Sequence, residues 1–244
     1  MIELIQQKDD LIGSMEAINN LKQKEHARVI VISDIHGEYR ALLQVIRRFG
    51  PECDAIIFCG DIERDLRNLL ETAFADDDFR ELIPPVMAFV RGNCDQIPML
   101  EVETSTDDKQ IKMESFRFPD RQYLTVNGQR ILICHGHLES VEHSTACLYT
   151  EMRYNHCTIA VHGHTHKPAN IYLMGNQYRI INPGSIHDPR DGYPATFAIL
   201  TVEKDFVDTA FIFWENSDFV FDSVKYFLYW RKIIFNSLSI SFFV

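Results

Sequence analysis

The chain has no Cys-x-x-Cys pair, no Lys/Arg-rich run ahead of its C-terminal tail, no internal repeat and no low-complexity linker. Each absence removes a class of function. Six cysteines (Cys53, Cys59, Cys94, Cys134, Cys147, Cys157) without paired spacing read as reduced thiols of a cytosolic protein, not as a disulfide framework. A formal net charge of −11 with no basic cluster argues against an extended nucleic-acid surface. It still permits a small phosphate-bearing substrate held by metal ions. No segment reaches ~18 uninterrupted apolar residues, so no transmembrane span is expected. The opening Met-Ile-Glu-Leu has no basic leader region ahead of it, so no secretory signal is expected and the reading is cytoplasmic. What remains is ordinary for a globular protein: 46% hydrophobic and 24% charged residues in a chain of 244, enough for one sizeable α/β domain or two small ones.

The apolar pattern divides the chain. Residues 1–26 form an N-terminal helical extension, with Leu4, Ile5, Leu11, Ile12, Met15, Ile18 and Leu21 at loosely helical spacing. Val29–Ile32, Ala55–Cys59 and Val86–Val90 are short β-branched or apolar runs, the pattern of strands buried on both faces. Helical stretches over about 38–49 and 65–79 separate them, which predicts a mostly parallel sheet. Residues 97–120 are polar and mixed, expected as a loop with short helical turns at most. Asn127-Gly128 between Gln122–Val126 and Arg130–Cys134 predicts a tight hairpin. A helix over about 141–154, the strand Cys157–Val161 and a strand-rich region through Trp214 complete a domain with two sheets over 27–215. Residues 216–244 form a hydrophobic tail, read as a packed helix or as an interface for a partner or membrane surface.

Chemistry sits at the strand ends. Val29–Ile32 runs into Ser33-Asp34-Ile35-His36-Gly37, and Ala55–Cys59 into Gly60-Asp61. Val86–Val90 runs into Arg91-Gly92-Asn93-Cys94-Asp95, Arg130–Cys134 into His135-Gly136-His137, and Cys157–Val161 into His162-Gly163-His164-Thr165-His166. Open α/β sheets bind ligands at such ends, and carboxylate mixed with imidazole suits Mn, Zn, Fe or Ni better than Ca or Mg. Singly, Asp34-x-His36 could be a capped turn, Asp61 a turn residue, Asn93 a loop cap and His135 a core histidine. Two imidazoles two residues apart at a strand end are harder to explain without a metal.

The order D-x-H-G, G-D, G-N-C-D, H-G-H, G-H-T-H resembles the calcineurin-like metallophosphoesterases, in particular the small single-domain bacterial and archaeal phosphodiesterases. Asn182-Pro183-Gly184-Ser185 fits the same branch. The resemblance covers about residues 27–215. It implies a four-layer α/β/β/α sandwich of two mixed sheets with a dinuclear metal centre at the strand ends. Asp34, His36 and His166 would bind one divalent ion, Asn93, His135 and His164 the other, and Asp61 both. Manganese is the first choice of metal. The implied reaction is in-line attack of a hydroxide held between the ions on a small phosphoester or nucleotide, most directly a phosphodiester. The alternatives are a phosphomonoesterase, a dinucleoside-polyphosphate hydrolase, or a non-catalytic scaffold such as the retromer subunit with this fold.

The phosphatase branch carries His where this chain has Cys94, with Asp95 behind it. A thiol is a poor proton donor near neutrality, so esters with good leaving groups are expected to turn over best. Asp61, Asn93, Cys94 and Asp95 are the expected catalytic residues, with His137 as a substitute acid or a support residue. His187 and Arg190 could line the cleft, and the tail could mediate homo-oligomer formation.

Overall fold

The computed structural model describes residues 1–107, 110–204, 206–215 and 218–220. In chain order its first half contains α1 (Met15–Gln23), β1 (Ala27–Ile32), α2 (Tyr39–Phe49), β2 (Ala55–Phe58), α3 (Glu63–Ala75), α4 (Asp77–Arg80), β3 (Val86–Phe89), β4 (Met99–Asp107) and β5 (Gln110–Arg117). The second half contains β6 (Arg121–Val126), β7 (Gln129–Cys134), α5 (Ala146–Tyr154), β8 (Ile159–Val161), β9 (Ala169–Leu173), β10 (Tyr178–Asn182), β11 (Ala195–Val202), β12 (Val207–Glu215) and β13 (Asp218–Val220).

Alternation along each strand sorts side chains into layers. In β1, Ile30 and Ile32 face one way and pack with Leu42, Val45 and Ile46 of α2 and Leu66 and Leu69 of α3. Val29 and Val31 face the other way, with Ile131, Ile133 and Val161 of the second sheet. The far face of that sheet, including Leu132, Ala160 and Ile180, is covered by Leu148 and Met152 of α5. The result is helices, sheet, sheet, helix, the four-layer α/β/β/α sandwich expected. The first sheet runs β13-β12-β11-β1-β2-β3 and the second β6-β7-β8-β10-β9. Both are mixed: β1, β2 and β3 pair in parallel, as do β7, β8 and β10, while β11 returns antiparallel to β1.

The structure differs from the sequence reading in several places. Residues 97–120 are not a loop. Strands β4 and β5 form an antiparallel ribbon, and Leu100, Val102 and Phe116 turn inward to join the core shared with α3. Within 1–26 only Met15–Gln23 is helical. Ahead of it Ile12 exchanges two backbone hydrogen bonds with Met87, at 2.9 and 2.8 Å, covering the edge of β3. The helix expected over 65–79 breaks at Asp76, whose carboxylate accepts from the Phe79 amide and starts α4. The helix expected from 141 starts at Ala146. Strand β13 pairs with β12, so the first sheet extends past the boundary placed at 215. The rest of the tail, 221–244, lies outside the described residues. Among the described residues no helix is long and apolar enough to cross a membrane.

Candidate metal centre

The buried parallel strands end on one edge, and the loops that follow β1, β2, β3, β7 and β8 carry the expected ligands. These loops depart sharply from extended backbone. Asp34, His36, Asp61, His164 and His166 all have positive φ, between 47° and 68°. Side chains with a Cβ adopt that conformation at a cost, and such strain gathers at functional sites. The turns are held from behind. The Ser185 hydroxyl donates to the Asp34 carbonyl at 2.7 Å, and the Asn182 amide donates to the Gly163 carbonyl at 2.8 Å. Asn182–Ser185 is thus the clasp between the first and last ligand loops.

One cluster contains Asp34, His36 and His166. The Nε2 atoms of His36 and His166 face each other at 3.3 Å, and His166 Nε2 is 3.3 Å from Asp34 Oδ1. That carboxylate oxygen is buried and makes no hydrogen bond of proper geometry. Burial alone would raise the Asp34 pKa, but His166 and His135 beside it bring it below the usual carboxylate value. His166 donates Nδ1–H to the Asp188 carbonyl at 2.6 Å, which leaves Nε2 as the free donor atom.

The second cluster contains Asn93, His135 and His164. Asn93 Oδ1 lies 3.0 Å from His135 Nε2 and 2.9 Å from His164 Nδ1. His135 donates Nδ1–H to the Cys59 carbonyl at 2.7 Å. Only a glycine at position 60 permits this, since a Cβ there would lie 2.5 Å from the imidazole and the residue has φ +93°. Asp61 stands between the clusters, its Oδ2 3.7 Å from His36 Nε2 and 3.5 Å from His135 Nε2. All the expected ligands therefore meet in one place. Facing imidazole lone pairs and an orphaned buried carboxylate oxygen are what a site shaped for divalent cations requires.

The other expected residues take different places. Cys94 is exposed at the rim, its amide donating to Asp61 Oδ1 at 2.8 Å. Partial burial and the neighbouring Asp61 push its thiol up to about 11. The Asp95 carboxylate accepts from the amides of Asp61, Ile62, Glu63 and Gly92 at 2.6–2.9 Å. It shapes the Asp61 turn and caps the start of α3. His137 packs beside the second cluster, its ring centroid 5.3 Å from that of His135. His162 is buried behind the site and burial pushes its pKa down to about 4. His187 is exposed, with its Nδ1 3.8 Å from Glu38. Arg190 is exposed too, its amide bonded to the His166 carbonyl at 3.4 Å. Sequence reasoning missed Asp65, which holds the Gly37 amide at 2.8 Å, and Glu142, 3.5 Å from His164 Nε2. Neither carries a motif signal, because each reaches the site only through the fold.

Comparison with known proteins agrees with this geometry. The profile of the calcineurin-like phosphoesterase superfamily domain matches residues 28–205. The chain belongs to that superfamily. It is 29% identical over 177 residues to YsnB of Bacillus subtilis (strain 168), a probable metallophosphoesterase, covering 72% of this chain and 85% of the relative. It is also 29% identical over 178 residues to the phosphodiesterase YfcE of Escherichia coli (strain K12), covering 71% and 86%. Among solved structures, a conserved Streptococcus pneumoniae protein described as a predicted phosphoesterase superposes with a TM-score of 0.57 at 24% identity, covering 77% of this chain and 90% of that one. Vacuolar protein sorting 29 of Cryptosporidium parvum gives 0.58 at 15% identity, covering 81% and 96%. At these identities the superpositions establish the fold alone.

Proposed function

We propose that this protein is a metal-dependent phosphodiesterase that hydrolyses a small phosphoester or nucleotide. The supporting observation is the convergence of Asp34, His36, Asp61, Asn93, His135, His164 and His166 around a buried carboxylate oxygen that lacks a hydrogen bond. In this reading Asp34, His36 and His166 hold one divalent ion, Asn93, His135 and His164 the other, and Asp61 both, with manganese the expected occupant. When bound, such ions supply a nucleophile at neutral pH and Lewis-acid stabilisation of phosphoryl oxygens.

The chain's own contribution is orientation. Backbone carbonyls of Cys59 and Asp188 fix the tautomers of His135 and His166, and Asp95 fixes the turn that presents Asp61. Cys94 keeps its proton near neutrality, so it gives little help to a poor leaving group and aryl diesters are the favoured test substrates. A complete donor set supports an enzyme over a scaffold that has kept only the fold. Six unpaired cysteines support a reducing, cytoplasmic setting. Association through the tail is part of the proposal, tested by the solution mass after removal of residues 223–244.

The deciding experiment compares bis(p-nitrophenyl) phosphate with p-nitrophenyl phosphate, using metal-stripped protein refilled with Mn²⁺. Metal-dependent diester turnover is expected to exceed monoester turnover. No turnover of either ester by the metal-loaded protein would overturn the proposal.

A further inference from the structure

The loop that follows H-G-H is pinned on both sides of Glu142. Ahead of it, Glu139 is buried and its carboxylate accepts from Arg121 Nε at 2.6 Å. The Glu139 and Val141 amides both donate to the Gly136 carbonyl, at 3.1 and 3.2 Å. Val141 is buried against Gly136, where a Cβ would stand 2.7 Å from Val141 Cγ2. Behind it, the His143 and Ser144 amides return to the Ser140 carbonyl at 3.0 and 3.2 Å. The glycine of H-G-H thus leaves room for Val141, and Glu142 is carried next to the second cluster.

There its carboxylate meets His164. Glu142 Oε2 lies 3.5 Å from His164 Nε2, while Nδ1 of the same ring faces Asn93 Oδ1 at 2.9 Å. His135 and His166 each have a backbone carbonyl behind the ring. Among the described residues no carbonyl does this for His164, and Glu142 takes that place. A neutral imidazole has one proton for its two nitrogens. An anionic carboxylate draws that proton more strongly than the neutral amide oxygen of Asn93 does, so it belongs on Nε2. Nδ1 is then a lone pair aimed where His135 Nε2 and Asn93 Oδ1 also meet.

We infer that Glu142 is a positioning residue for His164: it holds the Nε2 proton, presents Nδ1 to the second ion and so sets how tightly that ion is bound. A carboxylate behind a ligating histidine fixes the ring and raises its basicity, and losing one typically costs ~10–100-fold in metal affinity. Glu142 is an exposed side chain on a loop, so the grip of the second cluster depends on a residue outside the ligand motifs. Its role rests on the two-ion reading proposed above and adds to it the residue that tunes the second ion.

The test uses the full-length chain with Glu142→Ala, Glu142→Gln and, as a control on the same loop, His143→Ala. Chelator titration of the Mn²⁺-loaded proteins reads each stage of metal release. Nitrogen-15 NMR of the metal-stripped proteins reads which His164 nitrogen carries the proton. Glu142→Ala is expected to weaken the weaker manganese stage about tenfold and to leave the tighter stage unchanged. Glutamine, whose amide oxygen still accepts, should restore part of that affinity, and His143→Ala should alter neither stage. The His164 proton should sit on Nε2 in the wild type and shift toward Nδ1 in Glu142→Ala. An unchanged weaker stage in Glu142→Ala would overturn the inference. So would a proton on Nδ1 in the wild type, or one that stays on Nε2 without the carboxylate. Equal weakening of both stages would also overturn it, making Glu142 a support of the loop alone. If the wild type binds fewer than two manganese ions, the two-ion reading falls, and the NMR result still decides whether Glu142 orients His164.

Discussion

The two ligand clusters are built from the same edge but differ in charge and in surroundings. The first has a buried carboxylate, Asp34, and on its flank the Asp188 carboxylate, 3.5 Å from His166, and the exposed Arg190. The second is neutral in its own donors, Asn93, His135 and His164, and its flanking charge is Glu142. Imidazole tautomers are fixed in both by a backbone carbonyl behind the ring. The difference teaches that a shared scaffold can grade a site: the same turns place negative donors at one end and uncharged donors at the other.

Asp61 belongs to both clusters, and removing it should have the largest effect. Asp61→Ala is expected to lower kcat for the diester by at least ~10³, about 4 kcal/mol, and to reduce bound manganese. Near-normal turnover with full metal content would show that the clusters act separately. Next comes the turn that carries Asp61. Asp95→Ala strands four amides, and about 3 kcal/mol of stability should be lost, seen as a fall in Tm of roughly 10 °C. A shift of only a degree or two would mean that water replaces the carboxylate.

Metal removal addresses the asymmetry directly. Chelator titration should release manganese in two stages at least ~10-fold apart, the second cluster emptying first because its donors are neutral. Asn93→Ala should abolish the weaker stage, and a single unresolved stage would remove the distinction between the clusters.

The smallest effect belongs to His162, which supports both clusters from behind. Its folded pKa of about 4 lies below the ordinary value of 6.5, so the unfolded chain takes up the proton first as pH falls. Stability should therefore decline from about pH 6.5 down to about pH 4 and level off below. In metal-stripped protein, His162→Gln should remove about 1.5 kcal/mol of the loss between pH 6.5 and about pH 5, measured by urea titration. An unchanged pH slope would mean that the ring is hydrated in solution.

Much of this was legible before the structure. Unbroken apolar runs can satisfy both faces only in a covered sheet, so Val29–Ile32 and Val86–Val90 announced themselves. Asn127-Gly128 did the same for its hairpin, and both residues have the positive φ such a turn demands, 46° and 74°. The ribbon over 99–117 escaped because Glu101 separates its inward Leu100 and Val102 and Glu103 follows, and composition hid a period-2 pattern that was present. Residues 1–13 escaped because Ile12 is a strand partner only where the edge of β3 is offered to it. The role of Asp95 in the Asp61 turn was not legible, since three of the four amides it collects come from a turn more than thirty residues away.

The sequence by itself determined which donors exist and where along the chain each strand stops, because hydrophobic period and turn chemistry are local properties. Only the tertiary structure decided which donor faces which, that Asp61 stands between two sets, and that Asp95 gathers the amides of the Asp61 turn. Those relations depend on strand order and on left-handed turns at the ligands, and both are set by contacts between residues far apart in the chain.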